Sequence, residues 1–212
     1  MQHFLAVANR FFDSSLDLRS RVLVLVAALL MVPTYFAPLY EMTLYSNQFP
    51  DGLVLKIYSH KLEGGRSPNR DDLKEINALN HYIGMRALQE EDFTEFQWIP
   101  FVVGGMALLA LRVVVLGKMS KLVDLFVVFT YFGLFSLWSF YHKLFLYGHT
   151  LDPTAAVKVP PFTPPLFGHQ TMANFEVYNY PSFGSYVMAL VPVALAAALW
   201  LSYRSHRKEI AG

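Results

Sequence analysis

The run Trp98–Leu116, WIPFVVGGMALLALRVVVL, is almost wholly apolar and carries a single charge, Arg112. A helix needs roughly 20 apolar residues to cross the hydrocarbon of a bilayer, so this run predicts a transmembrane helix. Three more runs have the same character, Val22–Tyr40, Leu122–Leu146 and Phe183–Tyr203. The chain of 212 residues is 54% hydrophobic and only 16% charged, whereas soluble domains are about 25% charged. The composition therefore predicts an integral membrane protein, mainly α-helical, with four transmembrane helices.

Basic residues beside the spans indicate their orientation, because cytoplasmic flanks are enriched in lysine and arginine. They form three clusters: Arg10, Arg19 and Arg21 before the first span; Lys118 and Lys121 between the second and third; and Arg204, Arg207 and Lys208 after the fourth. All three clusters agree with cytoplasmic termini. Residues 41–97 and 147–182 should then face the outer side, and the first of these segments is acidic, with ten carboxylates against six basic side chains.

The same pattern divides the chain into surface and membrane segments. Residues 1–21 carry apolar side chains at helical spacing, which predicts an amphipathic helix on the inner membrane surface. The expected spans are 22–40, 98–116, 122–146 and 183–203; the outer segments are 41–97 and 147–182; and residues 204–212 form a cytoplasmic tail. The net charge of +1 gives no reason to expect nucleic acid as a partner, whereas membrane lipid is expected. The absence of cysteine excludes disulfides, thiolate metal sites and c-type haem attachment.

The outer segment 41–97 is predicted to begin with a β-hairpin. Met42–Ser46 and Leu53–Lys61 are rich in branched and aromatic residues, and Phe49–Gly52 between them has the composition of a turn. If Leu53–Lys61 is one strand, His60 and Tyr58 lie on the same face of it, because side chains alternate along a strand.

A short helix should follow the hairpin and complete a small α+β cap. The acids Asp71 and Asp72 favour a helix start, and Gly84 is a candidate for its end. The outer segment 147–182 contains Pro153, Pro160, Pro161, Pro164 and Pro165. A segment so rich in proline cannot form a regular helix or a central strand. Its apolar residues predict that it packs over the first outer segment as a proline-rich loop.

The segment Asn80–Met85, NHYIGM, contains the best candidates for chemistry. His81 and Met85 are four residues apart, so they share one helix face if the helix continues through Gly84. Imidazole and thioether are ligands that copper(I) accepts. The further candidate ligands on the outer side are His60, Met42, His169 and Met172, of which the last two share a helix face if their stretch is helical. In the alternative interpretation, His81 binds a loop carbonyl and Met85 packs beneath the hairpin.

Two charges within the spans, Arg112 and Asp124, lie at similar depth on either side of the turn Gly117–Ser120. Charges in a membrane pair where they can, so a structural salt bridge is expected, with a proton relay as the alternative. No other acid lies inside a predicted span, which disfavours a proton-coupled transporter, and the lack of polar groups inside the spans disfavours a small permease. The chain also contains no nucleophile elbow, Walker loop, dinucleotide fingerprint or HExxH motif, so no enzymatic activity is expected.

Three segments, Phe49–Leu53, Ile76–Met85 and Pro165–Phe175, resemble a family of small bacterial membrane proteins. These proteins share a hairpin with a Tyr-Pro-(Glu/Asp)-Gly-Leu turn and a segment (Ile/Leu)-Asn-x-Leu-Asn-His-Tyr-Ile-Gly-Met, which residues 76–85 match. They are often encoded beside nitrous oxide reductase, its accessory lipoproteins and copper-type respiratory genes. The NHYIGM segment is also similar to a stretch in the copper-chaperone lipoprotein of nitrous oxide reductase maturation.

The resemblance implies a place in the bacterial inner membrane, with the outer segments in the periplasm and a role in denitrification or related respiration. The predicted function is a non-enzymatic accessory protein for copper handling or for maturation of a respiratory copper enzyme. Its partners would be that enzyme or a copper chaperone, and His81 and Met85 would contact the metal. The chain lacks the lipidated cysteine of the chaperone lipoprotein. The alternative is a non-catalytic structural or docking subunit of a respiratory membrane complex, in which Asn80–Met85 is structural.

Overall fold

The computed structural model describes residues 9–67, 70–172 and 175–211. Its helices are α1 (Leu18–Leu30), α2 (Asp72–Tyr82), α3 (Glu95–Leu116), α4 (Met119–His149) and α5 (Phe183–Ala211). Its strands are β1 (Tyr40–Ser46), β2 (Phe49–Ile57), β3 (Leu62–Gly64), β4 (Arg66–Ser67), β5 (Arg70–Asp71), β6 (Gly168–Met172) and β7 (Phe175–Pro181). The chain divides into a helical unit, Met1–Pro33, Phe101–Leu134 and Val187–Gly212, and a sheet unit, Thr34–Pro100 and Phe135–Tyr186.

Four segments among the described residues are long and apolar enough to cross a membrane. They are Leu18–Tyr35, Glu95–Leu116, Met119–His149 and Phe183–Arg207. The four apolar helices expected from the sequence are therefore confirmed in length and composition. Many of their large side chains are uncovered, as α3 illustrates: Phe101, Leu108 and Val115 are 81%, 68% and 77% exposed.

The first of these segments begins and ends earlier than the predicted span 22–40. Asp17 caps α1, because its side chain accepts a hydrogen bond from the Ser20 amide. After Leu30 the chain continues as a 3₁₀ helix over Val32–Tyr35, where Pro33 cannot supply an amide to an α-helix. Of the predicted surface helix 1–21, residues 1–8 lie outside the described residues, residues 9–13 are helical and residues 14–17 are not.

Small and apolar side chains form the core of the helical unit. Its buried residues include Val24, Ala27, Ala28, Val103, Met106, Ala110, Leu122, Leu125, Val191, Leu195 and Ala198. Two buried hydrogen bonds lie within the described part of this core. The Ser20 hydroxyl donates to the Ala198 carbonyl at 2.9 Å and accepts from the Ser202 hydroxyl at 2.7 Å. Both serines are buried. The pair satisfies hydroxyl groups that would otherwise be costly to bury and ties α1 to α5.

A five-stranded antiparallel sheet, in the order β3-β2-β1-β7-β6, organises the sheet unit. Strand β1 pairs with β2 on one side and with β7 on the other, so the two outer segments of the sequence form one sheet. The expectation that the second segment packs over the first is confirmed, and residues 151–165 contain no helix or strand, as their prolines require. The two strands β6 and β7 after this loop were not predicted.

The hairpin turn lies three residues earlier than predicted. Ser46 pairs with Phe49, so the turn is at residues 47–48. The predicted turn residues Pro50, Asp51 and Gly52 lie within β2, where a break in register places them opposite a single residue of β1. Gly52 has a φ of +80° there, a conformation that favours glycine. Proline, aspartate and glycine therefore mark a β-bulge in this chain rather than the turn itself.

The inner face of the sheet packs on α2 and on the end of α4. The buried cluster consists of Leu44, Leu53, Leu55, Leu62, Ile76, Phe93, Tyr147 and Val177. Helix α2 begins as predicted, with Asp71 as its N-cap. The next residue, Asp72, is 2% exposed; its carboxylate accepts from the Val54 amide at 2.9 Å and from Arg70 at 2.7 Å. This paired carboxylate fixes the start of α2 against β2.

Candidate functional site

The segment NHYIGM forms the end of α2 and not a continuous helix. The helix ends at Tyr82, and Gly84 has a φ of +80°. The Gly84 amide donates to the His81 carbonyl at 3.2 Å, and the Met85 amide donates to the Asn80 carbonyl at 2.8 Å. These two bonds constitute a Schellman motif, the usual way in which a glycine terminates a helix. Gly84 therefore ends the helix as its sequence position suggested, and the condition under which His81 and Met85 would share one helix face is not met.

The proline-rich loop closes over this helix end. The Asp152 amide donates to the Gly84 carbonyl at 2.8 Å, and the Val157 amide donates to the Tyr82 carbonyl at 3.1 Å. A β-carbon at Gly84 would lie 2.8 Å from the Asp152 carbonyl oxygen and 3.0 Å from the Ala155 β-carbon. The loop can approach this closely only because residue 84 is glycine. Two sequence-distant segments are thereby joined through backbone hydrogen bonds at NHYIGM.

A cleft of about 370 Å³ lies at this junction, lined by His81, Gly84, Met85, Arg86, Ala87, Thr150, Leu151 and Asp152. His81 is exposed. Met85 is half-buried and packs against the hydrophobic cluster of the sheet unit. His81 and Met85 thus line the same cleft, although helix α2 ends between them. The cleft's lining residues include one histidine, one methionine and one aspartate, residue types whose side chains can ligate metal ions.

Two hydrogen bonds from Thr154 stabilise the ionised form of the Asp152 carboxyl group. The Thr154 hydroxyl donates to Asp152 Oδ1 at 2.6 Å, and the Thr154 amide donates to the same oxygen at 2.8 Å. These hydrogen bonds lower the pKa of Asp152 below its ordinary value of 3.8, with a smaller contribution from His81. A carboxylate that stays charged attracts a cation to the cleft. The sequence reasoning missed this residue, although Asp152 is one of only two acids in segment 147–182.

The other predicted ligands do not line the cleft. His60 is exposed, and lies in the turn between β2 and β3 rather than on a strand, with its ring 6.1 Å from that of Tyr58. His169 is exposed on β6, stacked 5.5 Å from the Tyr178 ring. Since β6 is a strand, the condition under which His169 and Met172 would share a helix face is not met. The side chain of Met172 lies outside the described residues.

Met42 and His169 lie on opposite faces of the sheet. Met42 pairs with Leu55 and Asn179, both of which are buried, and Met42 packs against the hydrophobic cluster. His169 belongs to the next row of the sheet, with Tyr178, and side chains of adjacent rows point to opposite faces. Within the part of the chain that the structure describes, no three His, Asp or Glu side chains are close enough together to hold a metal ion.

The two charges predicted within the spans border a different cleft, in the helical unit. Asp124 forms an ion pair with Lys121 at 3.0 Å. Arg112 lines the same cleft as Lys121 and Asp124. Asp124 thus pairs within α4, because residues three apart lie on one face of a helix. The expected salt bridge from Asp124 to Arg112 is not among the ion pairs of the described residues.

No protein-family model matches the chain, and neither does any curated protein or any solved structure.

Proposed function

We propose that the chain is a multi-pass protein of the bacterial inner membrane, with both termini in the cytoplasm. The support is the set of four long apolar helices and the uncovered large side chains along them, which in a membrane would contact lipid. The basic residues that flank the helices give the orientation. Residues 41–97 and 147–182 then face the periplasm.

We further propose that the cleft at the end of α2 binds copper(I), and that the protein is an accessory factor for copper handling or for maturation of a respiratory copper enzyme. The observation that carries this proposal is the convergence of His81, Met85 and Asp152 on one cavity. Thioether is a soft ligand that suits copper(I), and imidazole also binds copper. The charged carboxylate of Asp152 adds attraction for a cation, and the glycine cap holds both segments in place.

The test is a copper(I) titration of the detergent-solubilised full-length protein against a chromophoric copper(I) chelator. His81→Ala removes an exposed imidazole, and Met85→Leu removes the sulfur while keeping the apolar volume that packs on the cluster. Each variant is expected to weaken copper(I) binding by at least about tenfold, or about 1.4 kcal/mol. His169→Ala is the matched control, because this histidine is exposed but lies outside the cleft. Equal copper(I) affinity for the wild type and all three variants would show that His81 and Met85 do not form a copper(I) site.

A docking subunit of a respiratory membrane complex is the second candidate. The outer face of the sheet favours it, because Tyr45 and Tyr180 are 39% and 47% exposed and His169 stacks on Tyr178 beside them. Exposed aromatic side chains are common where proteins dock. Stoichiometric co-purification of an oxidoreductase, together with unaltered copper binding in the cleft variants, would establish this function in place of the first.

A further inference from the structure

The cleft in the helical unit has the composition of a binding site for a charged amphiphile. It has a volume of about 180 Å³ and lies between α3 and α4. Its walls are apolar, formed by Leu109, Val113, Leu125 and Val128, and its charged residues are Arg112, Lys121 and Asp124. An apolar cavity with a charged rim is suited to a molecule that has both hydrocarbon and an ionic group.

The charges of this cleft leave one cation uncompensated. Lys121 and Asp124 pair with each other at 3.0 Å, and their side chains are 43% and 63% exposed. Arg112 is exposed, and among the described residues it has no ion pair or hydrogen bond. The cleft therefore has a net charge of about one positive unit, carried by a guanidinium group on an apolar helix.

The position of Arg112 determines which anion can reach it. Arg112 lies about one helical turn before the end of α3 at Leu116. In a membrane with the proposed orientation, this end of α3 is the cytoplasmic one, so the guanidinium lies near the level of the lipid headgroups. A charge in a transmembrane helix is costly unless it finds a partner. A guanidinium binds a phosphate through two parallel hydrogen bonds, which makes a phosphodiester a well-matched partner.

We propose that this cleft binds an anionic phospholipid, with its phosphodiester on Arg112 and an acyl chain along Leu109, Val113, Leu125 and Val128. Basic pockets between transmembrane helices on the cytoplasmic side commonly bind such lipids. The proposal rests on the membrane-spanning assignment and is independent of the copper cleft. Whether the protein requires detergent for extraction from membranes tests that assignment separately.

The experiment measures lipid retained by the full-length protein, by native mass spectrometry from a mild detergent. Phosphatidylglycerol and phosphatidylcholine are added in separate titrations, with inorganic phosphate as a third probe. The wild-type protein is expected to retain phosphatidylglycerol at least about fivefold more strongly than phosphatidylcholine. Arg112→Gln should abolish this preference, whereas Arg19→Gln should not, because Arg19 is exposed at the inner end of α1 and does not line the cleft.

A second variant tests the proposal in the direction of tighter binding. Asp124→Asn removes the only acid of the cleft and releases Lys121, so it should raise retention of phosphatidylglycerol. The proposal is overturned if Arg112→Gln, monodisperse and as stable as wild type, keeps the lipid preference. It is also overturned if Asp124→Asn lowers retention, or if inorganic phosphate displaces the lipid as readily as excess phosphatidylglycerol does.

Discussion

Gly84→Ala should destabilise the sheet unit and open the cleft at the end of α2. The substitution is the smallest possible, because it adds a single methyl group to an otherwise unchanged chain. Two physical effects oppose that methyl group. The residue has a φ of +80°, which side chains other than hydrogen disfavour. The new β-carbon would also lie 2.8 Å from the Asp152 carbonyl oxygen and 3.0 Å from the Asp152 amide nitrogen.

The magnitude follows from these two effects. A left-handed backbone conformation costs roughly 1–2 kcal/mol for an alanine relative to glycine. Relief of the contact requires the loop to move away from backbone atoms, which lengthens or breaks the 2.8 Å hydrogen bond from the Asp152 amide to the Gly84 carbonyl. The loss of such a bond costs roughly 0.5–1.5 kcal/mol. The free energy of unfolding should therefore fall by about 1.5–3.5 kcal/mol.

The assay is reversible unfolding of the purified protein in mixed micelles, with limited proteolysis of residues 150–157 as a local readout. Gly168→Ala is the matched control: Gly168 has a φ of +99°, but no atom lies within 4 Å of its would-be β-carbon. This control carries the backbone cost alone, so the difference between the two variants measures the close approach of the loop. A Gly84→Ala protein within about 0.5 kcal/mol of wild type, with unaltered proteolysis, would refute the reasoning.

Two further predictions concern the helical unit and the carboxylate of the cleft. Ser20→Ala should lower the free energy of unfolding by roughly 0.5–2 kcal/mol, because it removes the donor to Ala198 and the acceptor of Ser202. Ser15→Ala is the control, since the side chain of Ser15 is exposed. An equal loss of stability in the two variants would contradict the prediction. Thr154→Val removes one hydrogen bond that holds the pKa of Asp152 below 3.8. A depressed carboxyl pKa stabilises the folded state above the ordinary pKa, and this stabilisation is lost as the pH falls through the pKa of the folded state. Wild type should therefore melt at a higher temperature than the variant at neutral pH, and the difference should vanish in acid. Thermal melts across this pH range check the prediction, and a difference that stays constant with pH would contradict it.

Features of the chain that depend on neighbouring residues could be predicted from its sequence. The four apolar helices follow from local length and composition, because the bilayer requirement is met by each segment on its own. The start of α2 at Asp71 and the irregular backbone of the proline-rich loop are local for the same reason. The predicted position of the hairpin turn was wrong, because the same residue types occur in turns and in β-bulges. Pro50, Asp51 and Gly52 form a bulge in this chain.

The candidate site could be predicted only in part. His81 and Met85 were identified from their residue types, but their predicted helical adjacency required a helix that Gly84 ends. Asp152 could not be assigned, because 67 positions separate it from Met85 in the sequence, and only the hydrogen bonds of the loop to Gly84 and Tyr82 bring it to the cleft. His60, Met42 and His169 were grouped with these residues by composition alone, and they lie elsewhere in the sheet unit.

Tertiary structure decided how the distant segments combine. Strand β7 completes the sheet beside β1 although more than a hundred residues lie between them, and that pairing assigns Met42 to the inner face and His169 to the outer one. The physical reason is that a strand is stabilised by a partner rather than by its own residues, whereas an apolar helix satisfies its backbone hydrogen bonds within itself. The helices could therefore be predicted from local sequence, whereas the sheet and the cleft depend on contacts between segments that are distant in the sequence.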